Sequence, residues 1–203
     1  MRTVLAFVFP LVIGIVRVHA DVVTFENDYD GFVEAAGPLS VIDFETLPDG
    51  SPSMSGVELT DDFNYDTQGI HFDAPLSNPY IAGNAETGFG LVTTENVEDT
   101  WIIGDFITPG QAIGGFFPGS TELCAFDAKD QELACVSAST APGIPGFVGI
   151  VSDVPIHGFT FGSGTSTEGI HSVEFSPIPE PGALVLIGSS AFLLLRRGAR
   201  QRN

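Results

Sequence analysis

Thr121-Glu122-Leu123-Cys124-Ala125-Phe126 and Glu132-Leu133-Ala134-Cys135-Val136 decide the fold class. Two short strand-forming runs separated by a brief polar segment read as a β-hairpin. With the turn centred on Lys129-Asp130, Phe126 faces Leu133 and Cys124 faces Cys135. These are the only two cysteines of the chain. Opposed by register, they predict a cross-strand disulfide in an oxidising compartment; the alternative is a pair of buried free thiols. A two-residue loop makes the pair hydrogen-bonded, with Cα atoms about 5.5 Å apart; a four-residue loop makes it non-hydrogen-bonded, at about 4.5 Å. Both separations can be bridged. Closing so short a loop stabilises by about 3 kcal/mol in the chain-entropy treatment.

Working outward, the same kind of run recurs. Val22–Phe25, Ser40–Glu45, Gly69–Phe72, Trp101–Ile103, Ala112–Phe117, Gly146–Val151, Ile156–Phe161 and Ser172–Phe175 are rich in β-branched and aromatic residues. Pro48-Asp49-Gly50, Pro109-Gly110, Pro118-Gly119-Ser120 and Pro142-Gly143 punctuate them as turns. One short helix is expected over Asp28–Ala36, with Phe32 on the face of Ala35 and Ala36 and Gly37 as its stop. No repeat at fixed period is visible. The expectation is an all-β, jelly-roll-like β-sandwich with a short N-terminal helix and one C-terminal hydrophobic helix.

Charge is unevenly placed. The chain has 203 residues, 26 acidic and 7 basic, for a formal net charge of −19. Between Asp21 and Ile178 lie 25 of those acids and a single base, Lys129, a net of −24. A surface with one Lys and no Arg cannot neutralise a phosphate backbone, which excludes nucleic acid as a partner. It also has no guanidinium fork for carboxylates or phosphates. The whole chain is 43% hydrophobic and has 17 Phe, all but Phe7, Phe9 and Phe192 of them in this segment, so it can still bury a core.

The two ends read as addresses. Met1-Arg2-Thr3, the apolar run Val4–Val16 and the small residues near Ala20 form a secretory signal over 1–20, cut before Asp21; Arg17 leaves an uncleaved anchor as the alternative. Residues 21–176 form the acidic domain, and 177–203 a tail. That tail carries Pro179-Glu180-Pro181, an uncharged apolar stretch Gly182–Leu195, and Arg196-Arg197 with Arg200 and Arg202. Fourteen residues fall short of a full span of about 20, yet the Arg cluster fits a cytoplasmic end. The order of the three parts resembles the PEP-CTERM sorting signal. That resemblance implies an exosortase-type membrane protease as partner, a transient inner-membrane anchor, and release to the cell surface or medium.

The middle is similar to the sandwich domain found ahead of such tails, through Ile42-Asp43-Phe44-Glu45, Leu47–Gly50, Gly69–Phe72 and Ala125–Ala128. The resemblance implies carbohydrate binding and a structural calcium held by an early-strand acid. Glu45, with Asp49, is the candidate calcium pair; His171-Ser172 stand where last-strand acids would be expected. No motif requires a cofactor, and calcium is the one cation considered, since it takes six to eight oxygens.

Other constellations are weaker. Glu26–Gly31 resembles the opening of a calcium loop, but Gly37 occupies its twelfth position, so a helix start is the better reading. Asp61-Asp62 with Asp66 reads as a solvated loop. His71, His157 and His171 stand apart from one another, and no nucleophile elbow or zinc signature is present. Tyr65, Tyr80 and Trp101 are candidate sugar-stacking rings, with core packing the competing role of Trp101. The functional expectation is an exported, non-enzymatic surface or matrix protein that binds or scaffolds exopolysaccharide. The alternative is an extracellular polysaccharide hydrolase using a carboxylate pair.

Overall fold

The computed structural model describes residues 21–75, 77–84, 88–93, 101–141, 144–162 and 169–177. The signal segment 1–20, the turn at Pro142-Gly143, Pro179, Glu180, Pro181, the apolar stretch and Arg196-Arg197 lie outside them. In chain order come β1 (Val22–Glu26), α1 (Tyr29–Ala36), β2 (Ser40–Ile42), β3 (Val57–Glu58), a 3-10 turn (Tyr65–Gln68) and β4 (Ile70–Asp73). Then follow β5 (Tyr80–Asn84), β6 (Gly88–Val92), β7 (Ile102–Pro118), β8 (Ser120–Phe126) and β9 (Glu132–Ser139). β10 (Pro145–Phe161), β11 (Gly169–Ile170) and β12 (Ser172–Pro177) complete the set. Among the described residues no helix is long and apolar enough to cross a membrane.

The hairpin β8–β9 has the expected register where it matters. Cys124 opposes Cys135 and the two are bonded, with Cα atoms 4.1 Å apart, the close spacing of a non-hydrogen-bonded pair. Nearer the turn the register slips. Phe126 opposes Glu132 rather than Leu133. The cause is local: Asp127 accepts from the amides of Lys129 and Gln131, and Asp130 takes a left-handed φ of 57°. A turn knotted on its first carboxylate holds an extra residue on one arm.

The architecture is a β-sandwich of two antiparallel sheets. The larger has the path β2-β12-β7-β10-β8-β9, with β1 added to β10 and β4 to β7; the smaller runs β11-β6-β5-β3. Between them lies one core, in which Ile42, Ile113, Val148, Ile150, Phe159 and Val173 of the large sheet meet Ile81, Leu91 and Ile170 of the small one. Two sequence expectations fail at the centre. The runs around Trp101–Ile103 and Ala112–Phe117 are one strand, and so are Gly146–Val151 and Ile156–Phe161. Pro109-Gly110 is no turn: it sits inside β7, where the pairing with β10 shifts register between Val151, Ile156 and Gly158. An irregularity of this kind is where a long strand tolerates proline. β2 also stops early, because Phe44 takes φ 59° and drops its ring into the core against Tyr65 and Phe72.

Helix α1 forms as expected, with Asp28 capping Gly31 and Gly37 closing it at φ 72°. It covers one end of the large sheet's outer face. Phe32 seats over the paired glycines Gly114 and Gly149, where a Cβ would come within 3.1 Å and 2.6 Å of its ring. Phe25, Ala112 and Phe147 complete this second, smaller core. The disulfide gives the first test. Replacing Cys124 and Cys135 together by Ser should lower the unfolding free energy by about 3 kcal/mol in urea denaturation. An unshifted midpoint would show that the cross-link adds nothing to the hairpin.

Candidate functional site

Among the described residues, no helix lies over the other end of the large sheet's outer face. Ile70 and Phe72 of β4 point into the core, so His71 and Asp73 point outward. By the same alternation Asp105 of β7, between the core-facing Gly104 and buried Phe106, points outward, and so do Gly158 and Thr160 of β10. His71, Asp105, Gly158 and Phe126 lie in register across four strands. In the sequence His71 stands apart from the other histidines. It is paired: Nδ1 lies 2.8 Å from Asp66 Oδ1, which the 3-10 turn brings back over β4. The signal was the five-residue spacing across a turn into a strand. The Asp105 carboxyl is raised above the ordinary carboxylate range. Desolvation at its base is the main cause; His71 opposes it, and the charges of Asp130 and Asp73 reinforce it.

A second feature lies at the hairpin. Glu26, at the end of β1, faces Ser120, Thr121, Glu122, Ser137, Ala138 and Ser139 across a groove of about 410 Å³. Ser137 donates to Glu122 Oε2 at 2.9 Å, and the hydroxyls of Ser120 and Ser139 share a hydrogen bond of 2.8 Å. These two rungs lie two and four residues along the hairpin from the disulfide rung. The wall is therefore pinned by a covalent bond two residues away. No cationic side chain lines it.

On the small sheet, Ile81 and Leu91 enter the core, so Tyr80 turns to the solvent face, in register with Glu58 and Val92. A shallow trough of about 240 Å³, floored by Ala82, Gly83, Gly88, Gly90 and Gly169, crosses the same sheet. Tyr80 and Trp101 are half-buried. Tyr65 is not available for stacking: it is 1% exposed and its hydroxyl donates to the Thr46 carbonyl at 2.8 Å. Burial pushes its phenol far up.

The two candidate calcium ligands are engaged separately. Glu45 Oε1 accepts from the Phe89 amide at 3.0 Å, tying the segment after β2 to β6. Asp49 accepts from the Ser51 amide and hydroxyl at 2.9 and 2.6 Å, which holds its carboxyl below the usual range. Among the described residues, the one group of three His, Cys, Asp or Glu donors close enough to share an ion is Glu122, Cys124 and Cys135. Its sulfurs are spent on the disulfide.

No family model matches the chain, and no curated protein matches it. Solved structures that resemble it include a lysine-to-alanine mutant of a family 29 carbohydrate-binding module, at 10% identity and TM-score 0.40, covering 69% of this chain and 92% of that one. Another such mutant, complexed with cellulohexaose, has 10% identity and TM-score 0.39, with the same coverage. A family 6 carbohydrate-binding module has 11% identity and TM-score 0.35, covering 68% and 93%. The electrostatics of the open face can be checked directly. Carboxyl NMR titration should show the Asp105 pKa falling in Asp130→Asn and Asp73→Asn and rising in His71→Gln. Insensitivity to all three would remove the coupling.

Proposed function

We propose that this chain is an exported, non-catalytic binding protein for neutral polysaccharide, working at the cell surface or in the extracellular matrix. The groove between Glu26 and the hairpin carries this reading. Two carboxylates and a row of hydroxyls are strong acceptors and donors for sugar hydroxyls, while the absence of a lining cation argues against anionic ligands. Its volume suits a small-molecule-sized ligand. The disulfide supports an oxidising compartment. Tyr80 on the small sheet offers a second, separate apolar surface for a ring.

The tail completes the proposal. Pro179-Glu180-Pro181, the apolar stretch and the Arg cluster serve as a PEP-CTERM-like address read by an exosortase-type protease, after which the acidic domain is free of the inner membrane. Jelly-roll topology and export belong to the same proposal. A hydrolase remains the second reading on one observation, the raised Asp105 carboxyl beside His71.

Binding of the purified chain to an array of neutral glycans is the expected outcome. Glu122→Gln should weaken that binding about tenfold or more, the worth of a hydrogen bond to a charged group. No binding to any glycan would overturn the reading, and polysaccharide turnover abolished in Asp105→Asn would replace it with the hydrolase. Intact mass of the protein from its native producer should show loss of 1–20, loss of the residues following the Pro-Glu-Pro motif, and two hydrogens fewer for the disulfide. A mass that retains Arg196 and Arg197 would refute sorting by cleavage.

A further inference from the structure

Glu174 is a carboxylate in the wrong place for a polyanion. It lies on β12, in register with Gly114 of β7 and Val41 of β2, and is 5% exposed; Gly114 is one of the two glycines over which Phe32 of α1 sits. Its neighbours on that face, Phe25, Ala112, Phe116 and Phe147, are apolar. Tyr29, the first residue of α1, packs its ring against Phe116 and Phe147 on this face, with centroids 5.1 and 5.2 Å apart, and its hydroxyl acts electrostatically on this carboxylate. Glu174 Oε2 is buried with no hydrogen-bond partner among the described residues. A buried ionised carboxylate with an orphaned oxygen is a costly arrangement, and the cost falls when a proton is taken up.

We propose that the buried Glu174 is a pH-controlled latch for α1: the helix stays down on the sheet while this carboxyl is protonated and loosens when it ionises. The surroundings supply nothing to offset the charge. α1 brings Asp30 and Glu34, its cap is Asp28, and β1 ends in Glu26, all acidic. The parts of β2, β7 and β10 packed around the site carry no ionisable side chain. Lys129, the one base of the domain, lies in the hairpin turn. Desolvation accordingly raises the Glu174 carboxyl, against the opposing pull of the Tyr29 hydroxyl, and Tyr29 is itself raised by burial and by the carboxylate.

The sign follows from linkage. A carboxyl whose folded pKa lies above its unfolded one contributes full stability below the unfolded value and loses it as pH rises through the folded value. Docking of α1 is therefore strongest in mild acid and weakens toward neutrality. Loosening uncovers the Phe25, Phe116 and Phe147 face, since Phe32 is what fills the glycine seat over it.

Hydrogen exchange of the full chain, corrected for intrinsic rates, tests this between pH 5 and 8. Protection of amides 29–37 should fall by about tenfold for each pKa unit by which Glu174 is displaced, while amides of β10 hold theirs. In Glu174→Gln the fall should vanish and protection at pH 8 should exceed wild type. Tyr29→Phe, which removes the hydroxyl that favours the charged form, should deepen the fall. A flat wild-type profile overturns the latch, as does the same fall in wild type and Glu174→Gln. Were Glu174→Gln not to fold, an unaltered profile in Tyr29→Phe would overturn it alone.

Discussion

Backbone hydrogen bonding between β7 and β10 is the constraint to which every other element answers. Both strands run 17 residues, and their ladder extends from Pro145 opposite Pro118 to Phe161 opposite Ile102. β4 and β12 hang on β7, and β1 and β8 hang on β10. The register shifts near Ile156 let one pair of strands serve two faces in succession. On one side of the bulge the outer face is apolar and glycine-seated, so a helix must cover it. On the other it carries His71, Asp105 and Thr160, with no helix over it among the described residues.

What was legible in the sequence was local. The hairpin could be read because its partners are 11 residues apart and only one register places the two cysteines together. The helix could be read because Asp28 and Gly37 mark its ends. The long strands could not, because Pro109-Gly110 looks the same in a bulge as in a turn, and only the neighbouring β10 decides which it is. The small sheet was missed for another reason: Tyr80–Asn84 and Gly88–Val92 are rich in glycine and alanine, residues depleted in strands, and their pairing is fixed by the core beneath them. Tyr65 was misplaced because nothing local announces that Thr46 will accept its hydroxyl. The groove was invisible for a similar reason, since Glu26 reaches the hairpin only through the pairing of β1 with β10.

The scarcity of cations explains how the acids are used. With one Lys and no Arg between Asp21 and Ile178, carboxylates turn to backbone amides instead. Asp28, Asp43, Asp73 and Asp127 each accept from an amide within the next few residues, and Glu45 does so across 44. Where the bonds are doubled, as at Asp127, the carboxyl is held below the usual range. Each such bond fixes a turn or a strand end, so the acidity that keeps the surface soluble also shapes its loops.

The order in which strands meet sets a timetable. β1 pairs with β10, and β2 pairs with β12, so the first strands of the domain find their partners only near its last residues. A chain emerging N-terminus first must hold β1 and β2 as open edges until nearly all of the domain has followed. Such non-local closure is slow, on the order of milliseconds to seconds for sheet proteins. The β8–β9 hairpin, in contrast, can form and be cross-linked early. The disulfide thus captures the one piece of the large sheet that does not need to wait.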